Sequence, residues 1–250
     1  MQQAKVALVT GSGRKRVGWH VAQALANRGY SLAIHYHHSA SDANETVADF
    51  TSRNVAAAAF EADLSDSAAT CRLVKQVRDR FGRIDVLVNC AAIWERKRLE
   101  DVTADDVRRN FDTNALSTFL CGQQAGLIMV GQAEGGALVN LGDWATARPY
   151  LDHAAYFPSK GAVEAITRSL AVELAARNPR VRVNCILPGP VMLPADLTAD
   201  ERARSIAGTL VKREGTPDHV AQAVLFLIDN DFVTGACIPV DGGRSIHSAE

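Results

Sequence analysis

Tyr156 and Lys160 stand four residues apart in the segment YFPSK, at the head of a long stretch with helical periodicity. On a helix that spacing stacks both side chains on one face, a turn apart. A tyrosine with a pKa of about 10 exchanges protons poorly at neutral pH, and a nearby ammonium stabilises the phenolate and lowers that pKa. The pair is therefore a candidate proton-transfer device. The spacing is common by chance, so its surroundings must carry the reading. Pro158, between the two, lacks a backbone donor and is tolerable only if the helix begins close to Tyr156.

A second group of residues lies at the ends of two apolar runs. VALVT leads into Gly11, Gly13 and Gly18, with Arg14, Lys15 and Arg16 among them. A glycine-bearing turn between strand and helix lets backbone approach phosphate groups, which the helix N-terminus attracts. The spacing is not GxGxxG, and such a turn is weak by itself. The second run ends in LAIHYHHSA, with no acid before Asp42. Folds that bind NAD place an acid there for the ribose 2′-hydroxyl, and NADP binders replace or counter it. His37, His38 and Ser39 can donate hydrogen bonds, and the basic residues of the first turn can reach across. The set suits a 2′-phosphate, so NADPH/NADP+ is expected over NADH.

The elements that must position these residues alternate along the chain. Strands are expected at Lys5–Thr10, Ser31–Tyr36, Val55–Glu61, Ile84–Asn89, Ala137–Leu141, Arg180–Ile186 and Ala236–Val240. Amphipathic segments lie between them at Val17–Arg28, Asp42–Arg53, Asp66–Arg80, Ala104–Val130, Ala154–Arg177 and Asp218–Ile228. Such alternation predicts a single α/β domain over residues 1–250, a doubly wound, mostly parallel seven-stranded sheet flanked by helices. Runs such as VALV and IDVLV fit strands buried on both faces. Leu187–Thr198, with three prolines and a glycine, is too irregular for an element, and a substrate lid is expected over 187–210.

A formal charge of −1 argues against nucleic acid, which needs a basic excess. Cys71, Cys90, Cys121, Cys185 and Cys237 are widely spaced without metal-ligand patterns, and are expected as free thiols in a reducing compartment. No apolar run approaches about 18 residues and no signal-peptide pattern opens the chain, so a cytoplasmic protein with no membrane partner is expected.

Taken together, TGSGRKRVG, ADLS, DVLVNCAA, DTNALSTF, LVNLGD, YFPSK, VRVNCILPGPV and FVTGACIPVDGG cover almost the whole chain and resemble the short-chain dehydrogenase/reductase family. The resemblance implies that Tyr156 donates a proton, and that Lys160 holds the nicotinamide ribose while lowering the tyrosine pKa. It implies that Asn114 positions a relay water, that Asp63 touches adenine, and that Pro188 and Gly189 flank the nicotinamide. Gly11, Arg14, Arg16, Val17, Leu64, Asn89 and Val191 complete the implied cofactor-binding set. It further implies a homotetramer built through Ala104–Val130 and Ala154–Arg177.

One position departs from the family pattern. Thirteen residues before the tyrosine the family carries serine, and this chain has Asp143. A carboxylate cannot donate to a substrate carbonyl unless protonated. Aspartate there resembles the pteridine reductases, as do Arg16, the segment HYHHSASDAN and Trp94 just beyond the fourth strand. The ending FVTGACIPVDGGRS is similar to dihydromonapterin and dihydrofolate reductases of this type. A pterin presents ring nitrogens, to which an acid–phenol pair can deliver a proton, and its flat ring can stack against the Trp94 indole. The plainer alternatives are a structural cap at Asp143 and a core or rim tryptophan at Trp94. Trp144, Tyr150 and His153 are further pocket candidates. Cys90 and Ala92 replace polar residues common in the family, removing possible hydrogen bonds. The turn from Gly11 to Gly18 is one residue longer than the family's common spacing, and Arg16, which keeps its distance to Gly18, is the preferred 2′-phosphate ligand. A carbonyl reductase acting on a 3-oxoacyl thioester, sugar or other ketone is the alternative function, and a non-catalytic NADP(H)-binding regulator a more distant one.

Overall fold

Five consecutive buried residues, Val6–Thr10, form β1 at the centre of the sheet. Burial on both faces is what an unbroken apolar run requires. The computed structural model describes residues 4–247, so the first and last three residues of the 1–250 assignment lie outside the described part. The other strands are β2 (Ser31–Tyr36), β3 (Ala57–Glu61), β4 (Val86–Asn89), β5 (Gly136–Leu141), β6 (Val181–Pro188) and β7 (Cys237–Val240). They lie in the order β3-β2-β1-β4-β5-β6-β7. Every neighbouring pair is parallel, where a mostly parallel sheet was expected.

Helices cover both faces. On one, α3 (Ser67–Phe81), α5 (Ser117–Val130) and α6 (Tyr156–Ala175) bury Leu73, Val77, Cys121, Ala125, Leu170 and Leu174 against Leu8, Leu87, Leu138 and Val183. On the other, α1 (Val17–Ala26), α2 (Ala40–Ser52) and α8 (Pro217–Asp229) bury Val21, Leu25, Phe50, Val220 and Val224 against Val9, Ile34, Val88 and Ile186. Helix α5 approaches α6 closely: a Cβ at Gly126 would stand 2.4 Å from Leu174 Cδ1, so the small residue sets the contact distance.

Two expectations need correction. The stretch expected as one helix from Ala104 to Val130 is α4 (Ala104–Asn110), a π-helical turn (Phe111–Leu116) and then α5. Its apolar periodicity runs on through the wider turn, so pattern alone does not reveal it. The irregular stretch expected at Leu187–Thr198 begins two residues later, because Leu187 and Pro188 end β6. The rest of the 187–210 region holds a helix, α7 (Ala199–Ala207), started by a capping box in which Thr198 accepts from the Glu201 amide and the Glu201 carboxylate accepts from the Thr198 amide.

Strand order reverses between β1 and β4, where Thr10 lies opposite Asn89. The crevice at the carboxyl ends of strands around such a reversal is where doubly wound folds bind ligands.

Candidate active site

At the end of β1 the chain turns at Gly11, whose φ of +65° favours glycine. A Cβ at Gly18, the second residue of α1, would sit 2.7 Å from the Gly11 carbonyl oxygen, so only glycine lets the helix start this close to the turn. The three basic residues of the turn have different surroundings. Arg14 Nε donates to Asp42 Oδ2 at 2.9 Å. Lys15 Nζ sits over the Trp19 ring, 5.6 Å from its centre. Arg16 is the exposed N-cap of α1, and its side chain makes no hydrogen bond or ion pair among the described residues.

His35 holds this turn, and the sequence reading passed over it for His37 and His38. It is 3 % exposed. Its Nδ1 accepts the Gly11 N–H at 3.0 Å, which places the ring proton on Nε2, 3.1 Å from the Ala62 carbonyl. One neutral imidazole thus ties the glycine turn to the loop carrying Asp63 and Leu64. Burial pushes its pKa down to about 4. His37 and His38 stack at 3.5 Å beside that loop, with His37 Nε2 3.8 Å from Asp63 Oδ2. Hydrogen bonds from Ser65 are the main reason that the Asp63 carboxyl is held below the usual range.

At the other end of the crevice, Tyr156 is the first residue of α6, so Pro158 falls in the opening turn, where it displaces no helical hydrogen bond. The Tyr156 hydroxyl donates to Asp143 Oδ2 at 2.8 Å. The other carboxylate oxygen, Oδ1, accepts from the Ala145 amide at 2.8 Å and caps the 3₁₀ turn Trp144–Thr146. Asp143 is thus both a cap and a partner of the phenol. Burial, then the Asp143 charge and hydrogen bond, hold the Tyr156 phenol well above its ordinary pKa. Burial also raises the Asp143 carboxyl, against the Ala145, Tyr156 and Lys160 contacts that lower it. The expected lowering of the tyrosine by Lys160 is therefore not what governs it here: carboxylate and burial dominate, and the phenol is kept protonated.

Lys160, one turn on, is 4 % exposed and donates to the Leu141 carbonyl at 2.8 Å. Burial lowers its pKa. Asn114 lies in the π-helical turn, a distortion found often at functional positions. Its side chain accepts from Ile93 N at 2.8 Å and donates to Ile93 O and to Ser159 Oγ, clamping the loop after β4 to the head of α6. Asn89 is buried, and its Nδ2 donates to Asn140 Oδ1 across β4 and β5 and to the Thr118 carbonyl.

The aromatic candidates gather beside Asp143 and Tyr156. Trp94 stacks on His153 at 4.6 Å, its Nε1 donates to Tyr150 Oη at 3.1 Å, and 43 % of it stays exposed. Trp144 packs near Tyr150, under the Arg244 guanidinium. His153 Nδ1 donates to the Leu151 carbonyl, and its Nε2 is buried with no partner among the described residues.

These features fit a dinucleotide. The Lys160 ammonium has three protons and one protein acceptor in a buried site, the need that ribose hydroxyls meet. Arg16 supplies a free guanidinium beside a helix N-terminus for phosphate. Val17, Leu64, Pro188, Gly189 and Val191 lie along the same carboxyl edge of the sheet. A Cβ at Gly189 would collide with Asp241 backbone at 2.5 Å.

A family model described as enoyl-(acyl carrier protein) reductase matches residues 13–245. Among curated relatives, an uncharacterized oxidoreductase of Methylorubrum extorquens is 36% identical, covering 96% of this chain and 98% of its own. Pteridine reductase 1 of Leishmania tarentolae is 32% identical over 98% of each chain. A 3-oxoacyl-[acyl-carrier-protein] reductase of Staphylococcus aureus is 33% identical over 97% of this chain and 99% of its own. Among solved structures, a blue fluorescent protein from a metagenomic library, in complex with NADPH, superposes with a TM-score of 0.89 at 32% identity, covering 97% and 98% of the two chains.

Proposed function

The chain belongs to the short-chain dehydrogenase/reductase family of nicotinamide-dependent oxidoreductases, and within it we propose that this enzyme uses NADPH to reduce a pterin-type ring. The observation that carries the reading is the Tyr156–Asp143 hydrogen bond, which puts a carboxyl where a ketone-directed site would present a hydroxyl. A nicotinamide held by these residues would supply the hydride. Tyr156 holds a proton at neutral pH, and Asp143, with its affinity for protons raised by burial, can replenish it or donate directly to a ring nitrogen. Lys160 would orient the ribose and Arg16 would pair with the 2′-phosphate, and the Trp94 indole offers one flat wall for an aromatic substrate.

In the same proposal the segment 187–210, with α7 tied back by the Arg202–Glu214 ion pair, closes over the substrate. The exposed Phe111, Leu116 and Leu127 beside α5 support self-association as a homotetramer. Among the described residues no helix is long and apolar enough to cross a membrane.

Reduction of a ketone is the second reading. It is favoured by the buried phenol, which would serve a carbonyl oxygen equally, and by a 3-oxoacyl reductase that resembles the chain as closely as the pteridine reductase does. NADPH oxidation measured against dihydrobiopterin, dihydrofolate and a panel of ketones and 3-oxoacyl thioesters separates the two. Turnover of a pterin is expected; robust ketone reduction with no turnover of any pterin overturns the first reading.

A further inference from the structure

Cys185 on β6 and Cys237 on β7 stand directly opposite each other in a parallel pair. Neighbouring strands lie about 4.8 Å apart, inside the Cα separation of about 4.4–6.8 Å that a disulfide spans. Both residues are free cysteines, and they differ in their surroundings. Cys185 is fully buried, and its thiol donates to the Ile186 carbonyl at 3.5 Å. Cys237 is partly exposed and receives a hydrogen bond, at 3.7 Å, from Arg168 Nη2 on α6. The facing Cys185 thiol and the Arg168 charge lower the Cys237 pKa, against burial and the Glu164 charge from the turn before, which raise it. An accessible thiolate beside a guanidinium, backed by a second thiol, is the arrangement of a redox-sensitive cysteine with its resolving partner.

We propose that Cys237 and Cys185 form a peroxide-sensitive dithiol, Cys237 attacking and Cys185 resolving. The Cys237 thiolate attacks one oxygen of hydrogen peroxide, breaking the O–O bond and leaving Cys237 sulfenic acid and hydroxide. Cys185 sulfur then displaces the sulfenic oxygen, which departs as water with the Cys185 proton. The hydroxide takes up the proton first lost from Cys237. Two thiols are oxidised to one disulfide while one peroxide is reduced to two waters.

The pair is also connected to the reaction centre. Lys160, Glu164 and Arg168 occupy successive turns of the helix that begins at Tyr156, and Arg168 reaches the dithiol. A Cβ at Gly142 would stand 3.2 Å from Cys185 Sγ, and Gly142 precedes Asp143. Drawing Cys185 toward Cys237 changes the packing under the residue that orients Asp143.

The test treats the reduced full-length protein with stoichiometric hydrogen peroxide, followed by proteolysis and mass spectrometry. A Cys185–Cys237 cross-linked peptide is expected, lost again with dithiothreitol. Turnover is expected to fall several-fold on oxidation and recover on reduction, with no such response in Cys237→Ser. In Cys185→Ser, Cys237 is expected to stop at sulfenic acid, trapped with dimedone. Oxidation falling on Cys71, Cys90 or Cys121 while Cys185 and Cys237 stay free thiols overturns the proposal, as does a bridge that leaves turnover untouched. The cross-link itself is read without any substrate, so its outcome is independent of the pterin assignment.

Discussion

Tyr156 gives its hydroxyl proton to Asp143 Oδ2 at 2.8 Å, while the other oxygen of that carboxylate accepts from the Ala145 amide. The bidentate use fixes the carboxylate plane at the head of α6. It also raises the proton affinity of the phenol, because any phenolate would face a carboxylate in a partly desolvated site. A phenol held protonated is a donor at neutral pH, and the first prediction follows.

Tyr156→Phe removes the donor and leaves the ring. The rate of the chemical step is expected to fall about 10²–10⁴-fold, the usual contribution of a positioned general acid, with NADPH affinity unchanged by fluorescence titration. Retained turnover would show that the proton comes from elsewhere.

Asp143 makes a pH prediction whose sign follows from burial. Its carboxyl is raised in the folded protein, so the folded state binds that proton more tightly than the unfolded chain does. This group's contribution therefore destabilises the fold above the raised pKa and is relieved as pH falls through it. Asp143→Asn, which keeps an acceptor for the Ala145 amide, is expected to have a higher Tm than wild type at neutral pH, with the gap closing on acidification. The same variant loses pterin turnover, and Asp143→Ser shifts turnover toward ketones. A Tm difference independent of pH would refute the buried-charge account.

For His35 the sign is opposite. Its folded pKa lies near 4 against 6.5 in the unfolded chain, so its contribution to stability is complete above 6.5 and is lost as pH falls toward about 4. The full loss amounts to roughly 3 kcal/mol. His35→Asn retains an acceptor near Nδ1 for Gly11, and His35→Gln retains a donor near Nε2 for Ala62. If holding the glycine turn is what matters, the Asn variant keeps the NADPH KM closer to wild type, with kcat little changed in both. Denaturant unfolding between pH 6.5 and 4 should show a flatter dependence in either variant.

The bases of the turn can be separated by substitution. Arg16, with a free side chain, is expected to lose roughly tenfold to a hundredfold in NADPH affinity on change to alanine, the range of a charge-assisted hydrogen bond. NADH affinity should stay constant. Arg14→Ala, which only releases Asp42, is expected to change NADPH affinity much less. Steady-state KM for both cofactors decides the matter, and the reverse ranking would move the 2′-phosphate to Arg14.

Much of this was legible from local pattern. Short β-branched and apolar runs marked the strands, with Ser31–Tyr36 matched to the residue, and α6, expected from Ala154, starts at Tyr156, close enough to admit Pro158. The spacing of Tyr156 and Lys160 singled out that pair, while Asp143, which accepts from the Tyr156 hydroxyl, was reached only through the resemblance to the family, whose serine it replaces. The capping box Thr198–Glu201 is written in the sequence, but the prolines around it mask the helix it starts.

The chain alone determined the alternation of elements, the parallel sheet and the residue types at the site, because burial and helix geometry impose periods that span only a few neighbours. Only the tertiary structure decided the roles of the polar groups. His35 sits in a run of buried β2 residues, and nothing local says that its two nitrogens meet Gly11 and Ala62. Cys185 and Cys237 face each other only once β6 and β7 pair in that register. Asp143 became both cap and proton partner when β5 delivered it to the head of α6. Hydrogen bonds form over about 3 Å between residues far apart in the chain, so strand register and helix placement, rather than sequence spacing, set which donor meets which acceptor.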